Sequence, residues 1–158
     1  MNASPLIVLA KVGQAELPLL LTNELAIPRA VVTEINAGPA NDPAKQLLTT
    51  NRFTVIDTPL PPPEILAWDL GAGETAVLSF VLHNKDWTAI LDDAAARKCA
   101  RSFSLSVKGT LAVILLAKQN GIISSAAEVI RSLQTVGLRL NDNLIRQALW
   151  QTVGETWE

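Results

Sequence analysis

Residues 87–121 read WTAILDDAAARKCARSFSLSVKGTLAVILLAKQNG. This stretch contains two short apolar segments, each followed by a segment with the pattern of a helix. Residues 87–91 are short and apolar, which is typical of a buried strand. Residues 94–103 have the pattern of a helix, and residues 105–107 form a second short apolar segment that we interpret as a strand. Gly109 and Thr110 then open a strongly apolar helix that Gly121 closes. The order strand, helix, strand, helix predicts a βαβ unit with parallel strands.

The flanking segments extend the same alternation. Residues 52–58 read RFTVIDT, in which β-branched and aromatic residues alternate with polar ones, so we predict a strand. Residues 74–84 are apolar at six of the seven positions 76–82 and predict a helix buried on most sides. Towards the amino terminus we predict helices over residues 6–12, 15–21 and 28–36, the last opened by its proline. The chain is therefore expected to be an α/β protein with a mostly parallel sheet.

Length and composition predict one folded domain over residues 1–158. The chain is 49% hydrophobic and 18% charged, which is too apolar for a disordered protein. Its single cysteine, Cys99, cannot form an internal disulfide and is compatible with a reducing compartment. No secretory signal pattern opens the chain, and no apolar segment reaches the roughly 18–20 residues of a membrane span. We therefore expect a cytoplasmic protein with no membrane contact.

The net charge of −2 argues against a broad basic face for binding a nucleic-acid backbone. It does not exclude an acidic metal site that acts on RNA, because bound cations would supply much of the local positive charge. Zinc chemistry has too few ligands, since His83 is the only histidine. A small-molecule-binding, flavodoxin-like domain would fit the fold pattern, but the chain has no phosphate-binding loop.

Four acidic residues occupy positions where chemistry is plausible. Asp92 and Asp93 follow a predicted strand and precede a helix, and ligands of open α/β sheets bind beyond the carboxyl ends of the strands. Glu74 begins an apolar helix, and Glu34 lies on a helix with apolar neighbours. Structural interpretations remain open for each. They are a helix cap for the aspartate pair, a favourable first-turn acid for Glu74, and a solvated position for Glu34.

Several motifs together carry a resemblance to a known family. They are NASPLIVLAKVG (residues 2–13), IPRAVVTEI (27–35), LGAGETAVLSFVL (70–82) and AILDDAAARKCARSFSLSVKGTLAVILLAKQNGII (89–123). Within them, the patterns GE, LDD-xxx-R and KGT-L occur in a specific order and spacing. Across almost its whole length the chain resembles the PIN-like superfamily, in the branch related to VapC toxins.

This resemblance implies a three-layer α/β/α fold whose acidic cluster binds Mg²⁺ or Mn²⁺ and cleaves RNA phosphodiester bonds. The family's acids fall on Glu34, Glu74, Asp92 and Asp93, which the resemblance makes both metal ligands and catalytic residues. Its first acid falls on Asn2, whose carbonyl oxygen can bind a metal but brings no charge. The strand that should carry this first position is nearly absent. We expect the carboxylates of Glu34, Glu74 and Asp92 to converge on one cleft, with Asp93 at its edge.

The resemblance implies a metal-dependent ribonuclease-like protein with an RNA substrate, in the form of a toxin with an antitoxin partner. The alternative is a PIN-like interaction module that has lost catalysis, which Asn2 and the shortened strand favour. Helical i,i+4 spacing predicts that Arg97 pairs with Asp93. Trp150 and Trp157, on an apolar C-terminal segment, predict a surface for a homodimer or for a bound antitoxin.

Overall fold

The computed structural model describes residues 1–158 and contains ten helices and four short strands. The helices are α1 (Ala3–Lys11), α2 (Leu17–Leu21), α3 (Arg29–Ala37), α4 (Pro43–Leu48), α5 (Pro63–Leu66), α6 (Ala72–His83), α7 (Ala94–Ser102), α8 (Thr110–Gln119), α9 (Ala126–Thr135) and α10 (Asp142–Val153). The strands are β1 (Ala26–Pro28), β2 (Thr54–Ile56), β3 (Ala89–Ile90) and β4 (Val107–Lys108).

All strand pairing is parallel, as the alternation of strands and helices predicted. Strand β1 pairs with β2 in a register that places Ala26 opposite Thr54. Strand β3 pairs with β4, with Ala89 opposite Val107. The fold class predicted from the sequence, mixed α/β with a mostly parallel sheet, is therefore confirmed.

The first two residues lie between the two strand pairs. The amino nitrogen of Met1 donates a hydrogen bond to the carbonyl oxygen of Ala26 in β1, at 2.9 Å. The next N–H group, that of Asn2, donates to the carbonyl oxygen of Ile90 in β3, at 3.1 Å. Met1 and Asn2 thus join the strand pair β1–β2 to the strand pair β3–β4.

The structure corrects three predicted boundaries. Pro28 does not open a helix but ends β1, because its backbone is extended and α3 begins at Arg29. The predicted strand over residues 105–107 is instead Val107–Lys108, since the Leu105 N–H still donates to Ala100 at the end of α7. Helix α1 begins earlier than predicted, with Asn2 at its N-cap position.

The helices pack around the strands, and the buried side chains form one hydrophobic core of 35 residues. Helix α6 contacts β1 and β3, and α8 contacts β4. Both helices are apolar on nearly all sides and bury residues such as Leu78 and Ile114 completely, which confirms their prediction as buried helices. Cys99 is also fully buried. None of the ten helices combines the length and the apolar character that crossing a membrane requires.

The chain beyond α10 is held on the start of α9. The Glu155 carboxylate accepts hydrogen bonds from the N–H groups of Ala126 and Ala127, at 3.0 and 2.7 Å, and from the Ser125 hydroxyl. The Lys118 ammonium lies 3.4 Å from the same carboxylate. Burial alone would raise the pKa of Glu155, but these donors hold it below its usual value.

The two C-terminal tryptophans differ in exposure. Trp157 is buried, its ring nitrogen donates to Asp142 at 3.3 Å, and the Arg131 guanidinium lies 5.0 Å from its ring centre. The prediction that both tryptophans face a partner is therefore wrong for Trp157, which packs on its own chain. Trp150 remains 66% exposed.

Replacing Glu155 by glutamine should destabilise the protein by about 1–3 kcal/mol at pH 7, because charged acceptors bind N–H donors more strongly than amides do. The lowered pKa means that this stabilisation is complete above the unfolded-state pKa of the carboxyl. It is lost as the pH falls through the lower, folded-state value. Urea unfolding at pH 7 and in acid should show the difference between wild type and variant shrinking on acidification. Glu158→Gln, at an exposed position, serves as the control, and an effect equal to that of Glu155→Gln would contradict the prediction.

Burial of the Met1 amino group should make stability depend on pH. Burial lowers the pKa of this group to about 5. The folded protein then binds fewer protons than the unfolded chain between pH 5 and 8, so the free energy of unfolding should rise with pH across that window. For a chain whose first residue is Met1, the slope should approach about 1.4 kcal/mol per pH unit. Denaturant unfolding at several pH values would measure it. The same slope in an Nα-acetylated chain would refute the assignment.

Candidate active site

Asp92 lies at the carboxyl end of β3 and is fixed by the start of α8. Its Oδ1 accepts from the Thr110 N–H at 2.7 Å, and its Oδ2 accepts from the Thr110 hydroxyl at 2.6 Å. Gly109 precedes this helix and has no side chain that could cap it. Asp92 therefore caps α8 from the neighbouring strand, and its orientation is set by both oxygens.

Asp93 caps its own helix. Its Oδ1 accepts from the Ala96 N–H at 2.8 Å at the start of α7, and the side chain is exposed. The predicted pair between Asp93 and Arg97 is wrong, because no carboxylate lies within 4.0 Å of the Arg97 guanidinium. The carboxylate is turned towards the first helical turn, whereas the guanidinium is directed towards Gly109.

Glu34 and Asn2 meet at Gly73, near the start of α6. The Gly73 N–H donates to Glu34 Oε1 at 2.8 Å. A Cβ atom at position 73 would lie 2.6 Å from Glu34 Oε2 and 2.8 Å from Asn2 Oδ1. Real Cβ atoms are not found at such distances, so glycine is what allows both oxygens to approach this backbone.

Glu74 is the half-buried acid of the group. Its carboxylate accepts from the Gly71 N–H at 3.2 Å. Burial raises the pKa of Glu74, and the negative charges of Asp93 and Glu34 raise it further against the effect of that hydrogen bond. The shift shows that Glu74 lies within electrostatic reach of two other candidate acids.

The family comparison agrees with this geometry. The DUF3368 family model, described as a PIN domain, matches residues 1–155. The chain belongs to the PIN domain family. Searches of curated proteins and of solved structures gave no match. PIN domains are generally nucleases that use divalent metals. Membership of the family therefore supports a nuclease-like function and nucleic-acid binding in general terms.

The oxygen donors of this PIN domain fit a hard divalent cation. Asn2 is 5% exposed, and its Oδ1 is buried with no hydrogen-bond donor. A buried acceptor left unpaired costs about 1–3 kcal/mol, which a bound cation would offset. The Glu34 carboxylate approaches the same point at Gly73. The donor set consists of amide and carboxylate oxygens, the ligands that Mg²⁺ and Mn²⁺ prefer.

The structure brings only some of the predicted ligands together. Asn2 and Glu34 converge at one point, and Glu74 lies within electrostatic reach of Glu34 and Asp93. As they stand, no three acidic, histidine or cysteine side chains are grouped closely enough to hold a metal ion. The convergence of Glu34, Glu74 and Asp92 on one cleft therefore stays a prediction.

Sequence reasoning missed two residues that build the site of this PIN domain. Gly73 admits the Asn2 and Glu34 oxygens, and Thr110 binds both oxygens of Asp92. Each belongs to a motif that the sequence analysis quoted, GAGE and KGT. The acids of these motifs drew attention, whereas the groups that position the acids carry no charge and give little signal alone.

The contact between Gly73 and Glu34 can be tested by a double-mutant cycle. Gly73→Ala should destabilise the protein, because the new methyl group displaces the Glu34 carboxylate and its hydrogen bond. In a Glu34→Ala background the cost should be smaller by about 0.5–3 kcal/mol, the range for residues in contact. Urea unfolding of the four proteins measures this coupling. Gly71→Ala, whose Cβ would meet only Glu74 at 3.5 Å, should be additive with Glu34→Ala. Additivity of Gly73→Ala as well would disprove the contact.

Proposed function

We propose that the chain is a single PIN domain over residues 1–158 that acts as a Mg²⁺- or Mn²⁺-dependent endoribonuclease. The observation that carries the proposal is the buried, unpartnered oxygen of Asn2 beside the Glu34 carboxylate. These two oxygens are of the kind that a hard divalent cation prefers as ligands, and the family that the chain belongs to typically uses such a cation. The substrate class that follows is RNA, with cleavage at phosphodiester bonds.

We assign the metal ligands to Asn2, Glu34, Glu74, Asp92 and Asp93. When bound by these oxygens, a divalent cation would activate a water and neutralise charge on the phosphate. Asp92 is the catalytic carboxylate that we expect to be most sensitive to change, because Thr110 fixes both of its oxygens.

A second candidate function is an interaction module without catalysis. Asn2 supports it, since an amide in place of an acid removes one negative charge from the cluster and weakens its attraction for a cation. The spacing of the acids supports it too, because no three of them are grouped at metal-binding distance. This module would keep the nucleic-acid or protein contacts of the family and lose the hydrolysis.

The biological role that we propose is that of a toxin with an antitoxin partner. This role rests on the resemblance to the VapC-related branch. A partner surface has one supporting feature, the 66% exposed Trp150 on α10. We propose that this tryptophan contacts a second copy of the chain or the antitoxin.

Activity should depend on Asp92 and on the metal. Asp92→Asn and Asp92→Ala should each reduce Mn²⁺-dependent cleavage of a mixed RNA pool by more than about 100-fold. Mutating a residue that only orients a metal ligand already costs about 10–100-fold in activity, and loss of a ligand should cost more. Asp92→Asn keeps the shape and an acceptor for Thr110, so thermal unfolding should show it folded. Asp86→Ala is the matched control, an exposed acid that precedes the same strand, and it should cleave like wild type.

Asn2→Asp should raise the affinity for Mn²⁺, measured by calorimetry, because it adds a charged oxygen ligand. Each protein is assayed with and without chelator. If wild type, Asp92→Ala and Asn2→Asp release the same products in both conditions, the nuclease proposal fails and the interaction module replaces it.

A further inference from the structure

Arg97 lies on α7, one turn after Asp93, and its guanidinium has no protein partner. Its Nε is buried and makes no hydrogen bond. No carboxylate stands within 4.0 Å of it, although the side chain is half-buried. By contrast, Arg29 and Arg52 each bind a carboxylate at the surface. An unpaired, partly desolvated guanidinium is costly, and its charge remains free to interact with an anion.

The guanidinium lies beside Asp92. A Cβ atom at Gly109 would lie 3.0 Å from Asp92 Oδ1 and 3.3 Å from the Nη1 atom of Arg97. The two groups therefore border the same small space over the Gly109 backbone, where the LDD-xxx-R and KGT motifs meet. Arg97 does not simply neutralise Asp92, because both carboxylate oxygens already bind Thr110 and the ion pair is not formed.

An anionic ligand at this point needs a cationic group to hold it. The neighbouring acids would repel a nucleic-acid strand, and the net charge of the chain is −2. A guanidinium presents a planar fork of donors that matches two oxygens of a phosphate, and its charge persists at any physiological pH. Placed beside the candidate catalytic carboxylate, it can hold the strand against this repulsion.

We infer that Arg97 is a phosphate-binding residue of this site, and that its guanidinium donates to a phosphate oxygen of the nucleic-acid strand next to Asp92. The inference rests on the proposed nuclease function and adds to it the group that binds the substrate anion. Arg97 lies outside the set of acids assigned to the metal, so its contribution can be measured separately.

RNA binding is measured by fluorescence anisotropy with a labelled single-stranded oligonucleotide, in Ca²⁺ rather than Mn²⁺. Arg97→Gln should weaken binding about 5- to 20-fold and reduce the slope of log K against log salt by about 1, the loss of one phosphate contact. Arg97→Lys keeps the charge, so it should retain the slope while losing part of the affinity. Arg101→Gln, at an exposed position one turn later on α7, is the matched control and should bind within about twofold of wild type.

A second measurement does not depend on RNA or on cleavage. The buried Nε–H of Arg97 should give its own side-chain signal in a ¹H–¹⁵N spectrum, assigned by its loss in Arg97→Lys. Titration with inorganic phosphate should shift this signal, and RNA should shift it at lower concentration. A signal that moves with neither ligand overturns the inference, whatever the result of the anisotropy assay.

The outcomes separate the two proposals. If wild type binds RNA and Arg97→Gln binds it equally well with the same salt slope, the role of Arg97 falls while the nuclease proposal stands. If wild type neither binds nor cleaves RNA but phosphate shifts the Arg97 signal, the nuclease proposal falls and Arg97 remains an anion-binding residue. If Arg97→Gln does not fold, Arg97→Lys and the wild-type titration decide.

Discussion

Two backbone hydrogen bonds from the first two residues link the two strand pairs of this PIN domain. Met1 donates to Ala26 and Asn2 donates to Ile90, so the strand pairs β1–β2 and β3–β4 are held side by side. The same bonds place the Asn2 side chain beside Glu34, at the point where the backbone of Gly73 leaves room for both oxygens. The sheet and the candidate site therefore depend on the same two residues.

Every candidate acid accepts a hydrogen bond from a backbone N–H at or beside the start of a helix. Glu34 binds Gly73, Glu74 binds Gly71, Asp92 binds Thr110 and Asp93 binds Ala96. Helix starts carry partial positive charge, so these N–H groups stabilise the carboxylates without a cation. The capping interpretation and the metal-ligand interpretation thus apply to the same side chains, because a carboxylate oxygen that accepts one hydrogen bond still has a lone pair for a metal.

The parts of the fold that followed from the sequence are those with a strong local signal. The apolar helices α6 and α8 were predicted correctly, because a helix that is apolar around its whole circumference is buried in the folded protein. Strand β1 was missed, since three residues ending in proline show no alternation and resemble the start of a helix. The position of Asp92 at a strand end was predicted, but its partner Thr110 was not, because a contact across 18 residues depends on the pairing of β3 with β4.

Two errors share a different cause. The pair between Asp93 and Arg97 was inferred from helical spacing, yet a residue at the N-cap directs its side chain at its own helix rather than along the helix face. Trp157 was placed on a partner surface, but the segment after α10 turns back and Asp142 and Arg131 bind the ring. The first prediction rested on helical spacing and the second on an apolar segment. In both cases a partner close in space, which a one-dimensional pattern does not contain, formed a different contact.

Asparagine at position 2 shows how the site balances cation affinity against stability without a cation. A neutral amide oxygen can be buried unpaired at a cost of about 1–3 kcal/mol, whereas an unpaired buried carboxylate costs several times more. An aspartate there would add a further negative charge near Glu74, whose pKa is already raised by burial and by the charges of Asp93 and Glu34. Asn2 therefore lowers the repulsion within the cluster and the attraction for a metal together. A site built in this way needs its remaining positive charge from groups that do not repel the folded protein, and Arg97 beside Asp92 is such a group.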